Sequence, residues 1–158
     1  MATPTRAALA NLEQADVVVL GDGECHEAAW RAMNDGPDGI AERIRWRYYQ
    51  GAVLLGVGSG AMLLGKHGHA RKPPPPPPAA PPGETTGGGG GALCTYKAFE
   101  IVPAVIGVDE ELVHETVEQL GYGALGFVLP LRGGFLFNTD GTFEAAHGLV
   151  TELRLSFK

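Results

Sequence analysis

The sequence predicts an α/β fold, with a mostly parallel sheet and an antiparallel hairpin near its C-terminal end. Two apolar runs, residues 15–20 and 53–57, have the composition of strands buried on both faces, which is typical of parallel sheets. Helical patterns follow each run, and this β-α-β-α order favours right-handed crossovers. The stretch "GGFLFNTDGTFEAA", residues 133–146, places an Asp-Gly turn between alternating apolar positions and therefore predicts a hairpin.

The other elements are placed by periodicity and by turn residues. Helices are expected at 25–33, 39–49, 59–64 and 110–120. Asp109 is the expected N-cap of the last helix, and Glu110 and Glu111 suit the positive end of its dipole. Strands are expected around Pro103 within 98–106, and at 126–129, 135–138, 142–145 and 149–157.

The length, charge and composition of the chain limit the class of protein to which it can belong. The chain has 158 residues, enough for one domain, and a net charge of −6 that argues against nucleic-acid binding. No apolar run reaches the roughly 20 residues that span a bilayer. The first 11 residues lack the apolar core of a secretory signal but are mildly basic and Ala-rich, so organelle targeting stays open. We expect a soluble, cytoplasmic protein without cofactor or metal, with Cys25 and Cys94 as reduced thiols.

A low-complexity segment interrupts the predicted domain, which extends over residues 1–158. Eight of the twelve prolines lie within 73–82, and five glycines occupy 87–91. Such sequence favours polyproline II and flexible coil, so residues 66–92 are expected to form a disordered insertion. The segment 70–91 should be mobile and removable, although docking on an SH3-type or WW-type module is an alternative. His67 and His69, at the edge of this insertion, are expected in a solvated loop rather than in a metal site.

Two glycine-rich turns define the candidate site. "GDGE" (21–24) follows the first predicted strand and "GVGSG" (56–60) follows the second, at the sheet edge where α/β proteins bind ligands. A sharp strand-to-helix turn of this kind can present a nucleophile, and Ser59 is the candidate. The alternative is that Ser59 caps the helix that follows it.

Weaker candidates lie nearby. Glu24 and His26 in the first turn are candidate acidic and basic groups, and Cys25 is a candidate substitute nucleophile. The pattern from Gly21 to Gly23 is too short for a dinucleotide-binding fingerprint. His114 is expected on the surface of its helix or against the sheet, and His147 is expected to face solvent.

Four stretches in this order resemble the S51 peptidase family, the group of dipeptidase E and cyanophycinase. They are "VVVLGDGE", "GVGSGAMLLG", "VPAVIGVDEE" and "GFVLPLRGGFLFNTDGTFEAAHGLVTEL". The resemblance implies a partial flavodoxin-like or Rossmann-like domain of the class I glutamine amidotransferase type. It also implies a serine nucleophile, assisted by a histidine and by backbone N–H groups, that hydrolyses small or acidic peptides.

The family's catalytic residues do not carry over. Alignment with the family's G-x-S-A-G-A places Gly58 at the nucleophile position and Ser59 at an alanine position. Alignment with P-x-x-I-x-x-H places Asp109 at the histidine position, and Glu84 is the only carboxylate near the place of an acidic partner. We therefore expect an impaired or inactive homologue that acts as a binding or assembly component. The alternative is an active serine hydrolase that uses Ser59.

The resemblance also bears on partners. The family has further strands before the one that matches "VVVLG", whereas about 15 residues precede it here. An incompletely covered sheet invites pairing with another chain, so we expect self-association or a protein partner. No nucleic-acid or membrane partner is expected.

Overall fold

The computed structural model describes residues 4–24, 26–72 and 91–155, which form a mixed α/β structure. The helices of these residues are α1 (Arg6–Gln14), α2 (His26–Asn34), α3 (Ile40–Tyr49), α4 (Ser59–Leu64) and α5 (Glu110–Leu120). Their strands are β1 (Val17–Leu20), β2 (Val53–Gly56), β3 (His67–Arg71), β4 (Leu93–Lys97), β5 (Val105–Gly107), β6 (Leu125–Val128), β7 (Gly134–Phe137), β8 (Phe143–His147) and β9 (Thr151–Arg154).

Strands β1 and β2 pair in parallel, as the sequence predicts, with Val17 opposite Val53 and Leu20 opposite Gly56. One face of this pair is buried beneath helices, where Val18 and Leu20 join Trp30 of α2 and Ile44 of α3 in an apolar core. The Trp30 and Phe99 rings meet edge to face there, with their centroids 4.8 Å apart. This core fixes β1 and β2, and therefore the two turns that follow them.

The prediction that both strands are buried on both faces is wrong. Burial alternates along β1, and Val17 and Val19 are 53% and 57% exposed. On β2 the same face exposes Val53 and Leu55. The buried side chains of the pair pack against helices, whereas these four side chains of the opposite face are 50–60% exposed.

The C-terminal part holds the remaining predicted strands and the hairpin. Strand β6 pairs in parallel with β5 and antiparallel with β9, and α5 packs against β5 and β6. Strands β7 and β8 form the predicted hairpin, where Phe135, Phe137 and Phe143 pack with Phe127 of β6. The described strands are divided among four small sheets rather than joined in the one mostly parallel sheet that the sequence predicts.

The start of the predicted insertion needs correction. Residues 67–71 form β3, which pairs antiparallel with β4, so regular structure continues past residue 66. Strand β4 begins at residue 93, after the predicted end of the insertion at residue 92. The strand expected around Pro103 is replaced by β4 and β5 on either side of it. The prolines of the run, and Glu84, fall within residues 73–90, outside the described residues, so the mobility and removability of that segment stay predictions.

The N-terminal helix α1 was not predicted. The Thr5 side chain caps it by accepting a hydrogen bond from the Ala8 N–H, a standard N-cap arrangement. None of its residues is fully buried, and its partly buried side consists of Leu9 and Leu12, an apolar stripe too narrow to signal a helix clearly.

Glycines allow α4 to lie against the ends of β1 and β2. A Cβ at Gly60 would lie 2.0 Å from the carbonyl oxygen of Leu20, and a Cβ at Gly56 would lie 2.4 Å from the Cα of Ala61. Both neighbouring atoms belong to the backbone, so neither can move away as the end of a flexible side chain could. This close approach brings the turn after β2 into contact with the turn after β1.

We therefore expect Gly60→Ala to destabilise the fold by about 2 kcal/mol or more, because the added methyl group overpacks against backbone. Helix propensity alone would favour alanine at this helical position, so the expected sign is opposite to that of propensity. The control is Gly21→Ala, because no atom lies within 4 Å of a Cβ at Gly21. Urea unfolding should show a change within about 0.5 kcal/mol for the control. Equal stability of the two variants would contradict the close approach.

Candidate functional site

The site is a cleft between the turn after β1 and the turn after β2, lined by Gly21, Asp22, Gly23, Glu24, His26, Ala29, Ser59 and Leu63. Hydrogen bonds join the two turns directly. The Ser59 N–H donates to Asp22 Oδ1 at 2.8 Å, and the Gly23 N–H donates to the same oxygen at 3.0 Å. One carboxylate oxygen therefore lies between two backbone N–H groups from different turns.

Gly58 has a backbone conformation that other residues adopt only with strain. Its φ of +55° and ψ of −123° lie outside the regions open to side-chain-bearing L-residues. A Cβ at this position would lie 2.4 Å from both Cγ and Oδ1 of Asp22. The Asp22 carboxylate thus occupies the space that a side chain at position 58 would need.

The environment of Asp22 favours its charged form. Hydrogen bonds from the Ser59 backbone N–H and, to a smaller extent, from the Gly23 N–H hold the pKa of Asp22 below its ordinary value of 3.8. The carboxylate is solvent-exposed on its outer side, so it is a charged group at the mouth of the cleft at neutral pH.

Ser59 is a structural link between the two turns in this arrangement. Its Oγ donates to the Gly23 carbonyl and accepts from the Gly23 N–H, both at 2.8 Å, and the residue is only 9% exposed. The interpretation of Ser59 as a helix cap is wrong, because Gly58 occupies the N-cap position and makes no side-chain hydrogen bond there. The Ser59 hydroxyl instead links the two turns at the bottom of the cleft.

His26 lies in the same cleft but is bonded elsewhere. Its Nε2 is 2.8 Å from the carbonyl oxygen of His69, and its ring lies against Tyr96 at a centroid separation of 6.3 Å. No hydrogen bond joins His26 to Ser59 among the described residues, so the structure does not assemble a Ser–His pair. Glu24 lines the cleft as an exposed side chain, and Cys25 lies outside the described residues.

Asp109 performs the capping role that the sequence predicts. Its side chain accepts a hydrogen bond from the Leu112 N–H at 3.1 Å at the start of α5. His114 lies on the exposed side of the same helix, 3.7 Å from Glu118, and His147 is exposed on β8, both as expected. The Asp109 carboxylate is thus engaged by the helix end.

His69 is a buried residue, which corrects its expected place in a solvated loop. It is 2% exposed on β3, and its ring fills the space above Gly107, where a Cβ would lie 2.9 Å from the ring carbon Cε1. No hydrogen-bond partner reaches its Nδ1 among the described residues. Burial, and to a smaller extent His26, lowers the pKa of His69 to about 4, which Asp109 partly opposes.

No set of three metal-ligating side chains comes together in the parts of the chain that the structure describes. Cys94 is a free, half-buried thiol on β4. None of the described helices is long and apolar enough to cross a bilayer.

Comparison with protein-family models and with curated proteins finds no match to this chain.

Sequence reasoning located both turns and selected Glu24, which lines the cleft, but it missed Asp22. Asp22 makes the contacts that join the turns. The available signal was Gly58, because a glycine at the centre of a sharp turn leaves space for a neighbouring side chain. His69 was missed because proline-rich sequence begins four residues after it.

His69 predicts a pH dependence of stability. Its pKa is about 4 in the folded protein and near 6.5 when exposed, so the unfolded chain binds the extra proton between these values. Protonation of His69 in the unfolded chain should therefore lower the free energy of unfolding by about 3 kcal/mol as the pH drops from 6.5 to 4. Above pH 6.5, His69 should add no pH dependence to the stability.

The measurement is urea unfolding at several pH values for the wild type, His69→Gln and the control His114→Gln. His69→Gln should flatten the pH dependence between 6.5 and 4, whereas the exposed His114 should not affect it. The same decline in all three proteins would show that His69 does not carry the effect.

Proposed function

We propose that this chain is a non-catalytic relative of the S51 peptidases and works as a binding or assembly component. The observation that carries the proposal is the Asp22 carboxylate, held between the Ser59 and Gly23 N–H groups and against Gly58. The proposal includes a flavodoxin-like origin of the fold, consistent with the parallel pairs β1–β2 and β5–β6.

A nucleophile elbow needs a free oxyanion site. The N–H of the residue after the nucleophile and one N–H from a neighbouring loop stabilise the negative charge that develops on the substrate. With Gly58 at the nucleophile position, the first of these groups is the Ser59 N–H, and the Gly23 N–H is placed to be the second. Both already donate to Asp22, so a reacting carbonyl would meet a negative charge instead of free donors.

The catalytic side chains are also missing from their expected positions. Gly58 has a positive φ at the centre of the turn but carries no hydroxyl, and Asp109 caps α5. The Asp109 carboxylate is engaged by the Leu112 N–H, and a carboxylate is generally a weaker base than an imidazole. The loss of a nucleophile, a base and an open oxyanion site together favours a role in binding.

The alternative, hydrolysis by Ser59, requires an accessible and activated hydroxyl. The Ser59 Oγ is instead bonded to both polar groups of the Gly23 backbone. An attack would need these bonds to break and a histidine to approach, and His26 is held by the carbonyl of His69. The geometry therefore favours the non-catalytic role.

The experiment is labelling of the folded chain with a fluorophosphonate serine probe, compared with Ser59→Ala. We expect no labelling of either protein, because an unactivated buried hydroxyl is a weak nucleophile. Ser59→Ala should nevertheless lose about 1 kcal/mol of stability in urea unfolding, because its hydroxyl makes two hydrogen bonds. Stoichiometric labelling that disappears in Ser59→Ala would overturn the proposal and support the hydrolase.

A further inference from the structure

His69 is a buried histidine at the contact of β3 with β5 and α5. It is 2% exposed, and its ring fills the space above Gly107 of β5, next to the Val113 side chain of α5. No hydrogen-bond partner reaches its Nδ1 among the described residues. A proton on this ring would add a charge and a second N–H to an apolar space, which is unfavourable. The packed position therefore excludes the charged ring.

The backbone of the same residue holds a histidine of the cleft. The His69 carbonyl oxygen lies 2.8 Å from Nε2 of His26. Because a carbonyl only accepts, His26 donates this hydrogen bond from Nε2, which fixes the orientation of its ring. His26 lines the cleft, and its ring lies against Tyr96 of β4. His69 thus links the packing of β3 to one wall of the cleft.

Strand β3 is able to move without disrupting the other sheets. It pairs with β4 in a separate two-stranded sheet, and no ladder joins it to β5 among the described strands. Just before the strand, the Lys66 N–H donates to the Ala104 carbonyl at 2.8 Å, which anchors that end. The remainder of β3 contacts β5 and α5 through side chains, so a local opening leaves the sheet ladders intact.

We propose that protonation of His69 releases β3 from β5 and α5 and thereby frees His26 at the cleft. Because β5 and α5 enclose the ring, a charged ring reaches water only if β3 moves. This movement withdraws the His69 carbonyl from His26 Nε2 and leaves that N–H available to a bound partner. The inference deepens the proposed binding role and rests on it, since it adds control by pH to the same cleft.

The titratable groups around the His69 ring act in opposite directions. His26 of α2 opposes a charge on His69, and Asp109 at the start of α5 favours it. Helix α4 and strand β5 have no titratable side chain. The other titratable groups nearby on the elements packed against β3 are Glu27 of α2 and Cys94 and Tyr96 of β4.

Two further groups on the β3 contact are rivals to His69 as the source of a pH effect. His67 lies on the same strand, and burial lowers its pKa. Glu115 of α5 pairs with Arg71 at the end of β3, with 2.8 Å between the charged atoms. Protonation of Glu115 would weaken that pair, so the test has to separate both groups from His69.

The opening should become easier as the pH falls. The pKa of His69 is about 4 in the packed position and near 6.5 when exposed, so the opened form binds the proton first. The opening constant should therefore rise roughly twentyfold between about pH 6 and pH 4.5, and should be constant above about pH 7.

The test is amide hydrogen exchange of the full chain, followed by NMR between about pH 4.5 and pH 6, which gives an opening constant for each protected amide. In the wild type, the amides of the β3–β4 ladder should open more readily than those of the β1–β2 ladder. Low urea concentrations should leave the β3–β4 opening constant nearly unchanged, because a local opening exposes little surface.

His69→Phe keeps an aromatic ring above Gly107 but binds no proton, so its β3–β4 opening constant should not change with pH. The controls His67→Gln and Glu115→Gln should keep the roughly twentyfold rise. His26→Phe removes the hydrogen bond to the His69 carbonyl and should raise the opening constant about fivefold at about pH 6.

The inference is overturned if the β3–β4 amides open only together with the β1–β2 amides, if the pH dependence persists in His69→Phe, or if either control abolishes it. An unchanged opening constant in His26→Phe also overturns it, because β3 would then be uncoupled from the cleft. The wild type and the two controls decide the inference even where His69→Phe does not fold. The serine-probe result is independent: labelling refutes the non-catalytic proposal, whereas these exchange results refute control by pH alone.

Discussion

The contact between the two glycine-rich turns is the constraint on which the site depends. Because Gly56 and Gly60 have no side chains, α4 begins directly against the end of β1. That proximity allows the Ser59 N–H and hydroxyl to reach Asp22 and Gly23. A sharp strand-to-helix turn is thereby held against the turn after β1, and the Asp22 carboxylate accepts hydrogen bonds from both turns.

The backbone conformation of Gly58 depends on its having no side chain. Gly58 adopts a positive φ that glycine reaches freely and that a residue with a side chain would adopt only with strain. The Asp22 carboxylate lies in the space that such a side chain would need. Strands β1 and β2 expose Val17, Val19, Val53 and Leu55 on the face opposite the buried Val18 and Leu20.

Sequence patterns predicted the elements that depend on local rules. The Asp109 cap, the Asp-Gly hairpin and the helices from α2 to α5 appear within a few residues of their expected bounds. Features set by long-range packing were not predictable. The exposure of Val17 and Val19 depends on which elements cover the sheet, and the burial of His69 depends on β4, which is distant in sequence. The role of Asp22 depends on a contact 37 residues away along the chain.

The most direct test of the central claim is an NMR titration of the Asp22 side-chain carboxyl carbon in the wild-type chain. The account predicts a pKa below 3.8, with the amide protons of Gly23 and Ser59 shifting at the same midpoint because both donate to this carboxylate. Asp140 is an internal control, since hydrogen bonds from Thr142 lower its pKa and its titration should leave those two amides unmoved. An Asp22 pKa at or above 3.8, with neither amide following it, would contradict the claim that this carboxylate fills the site.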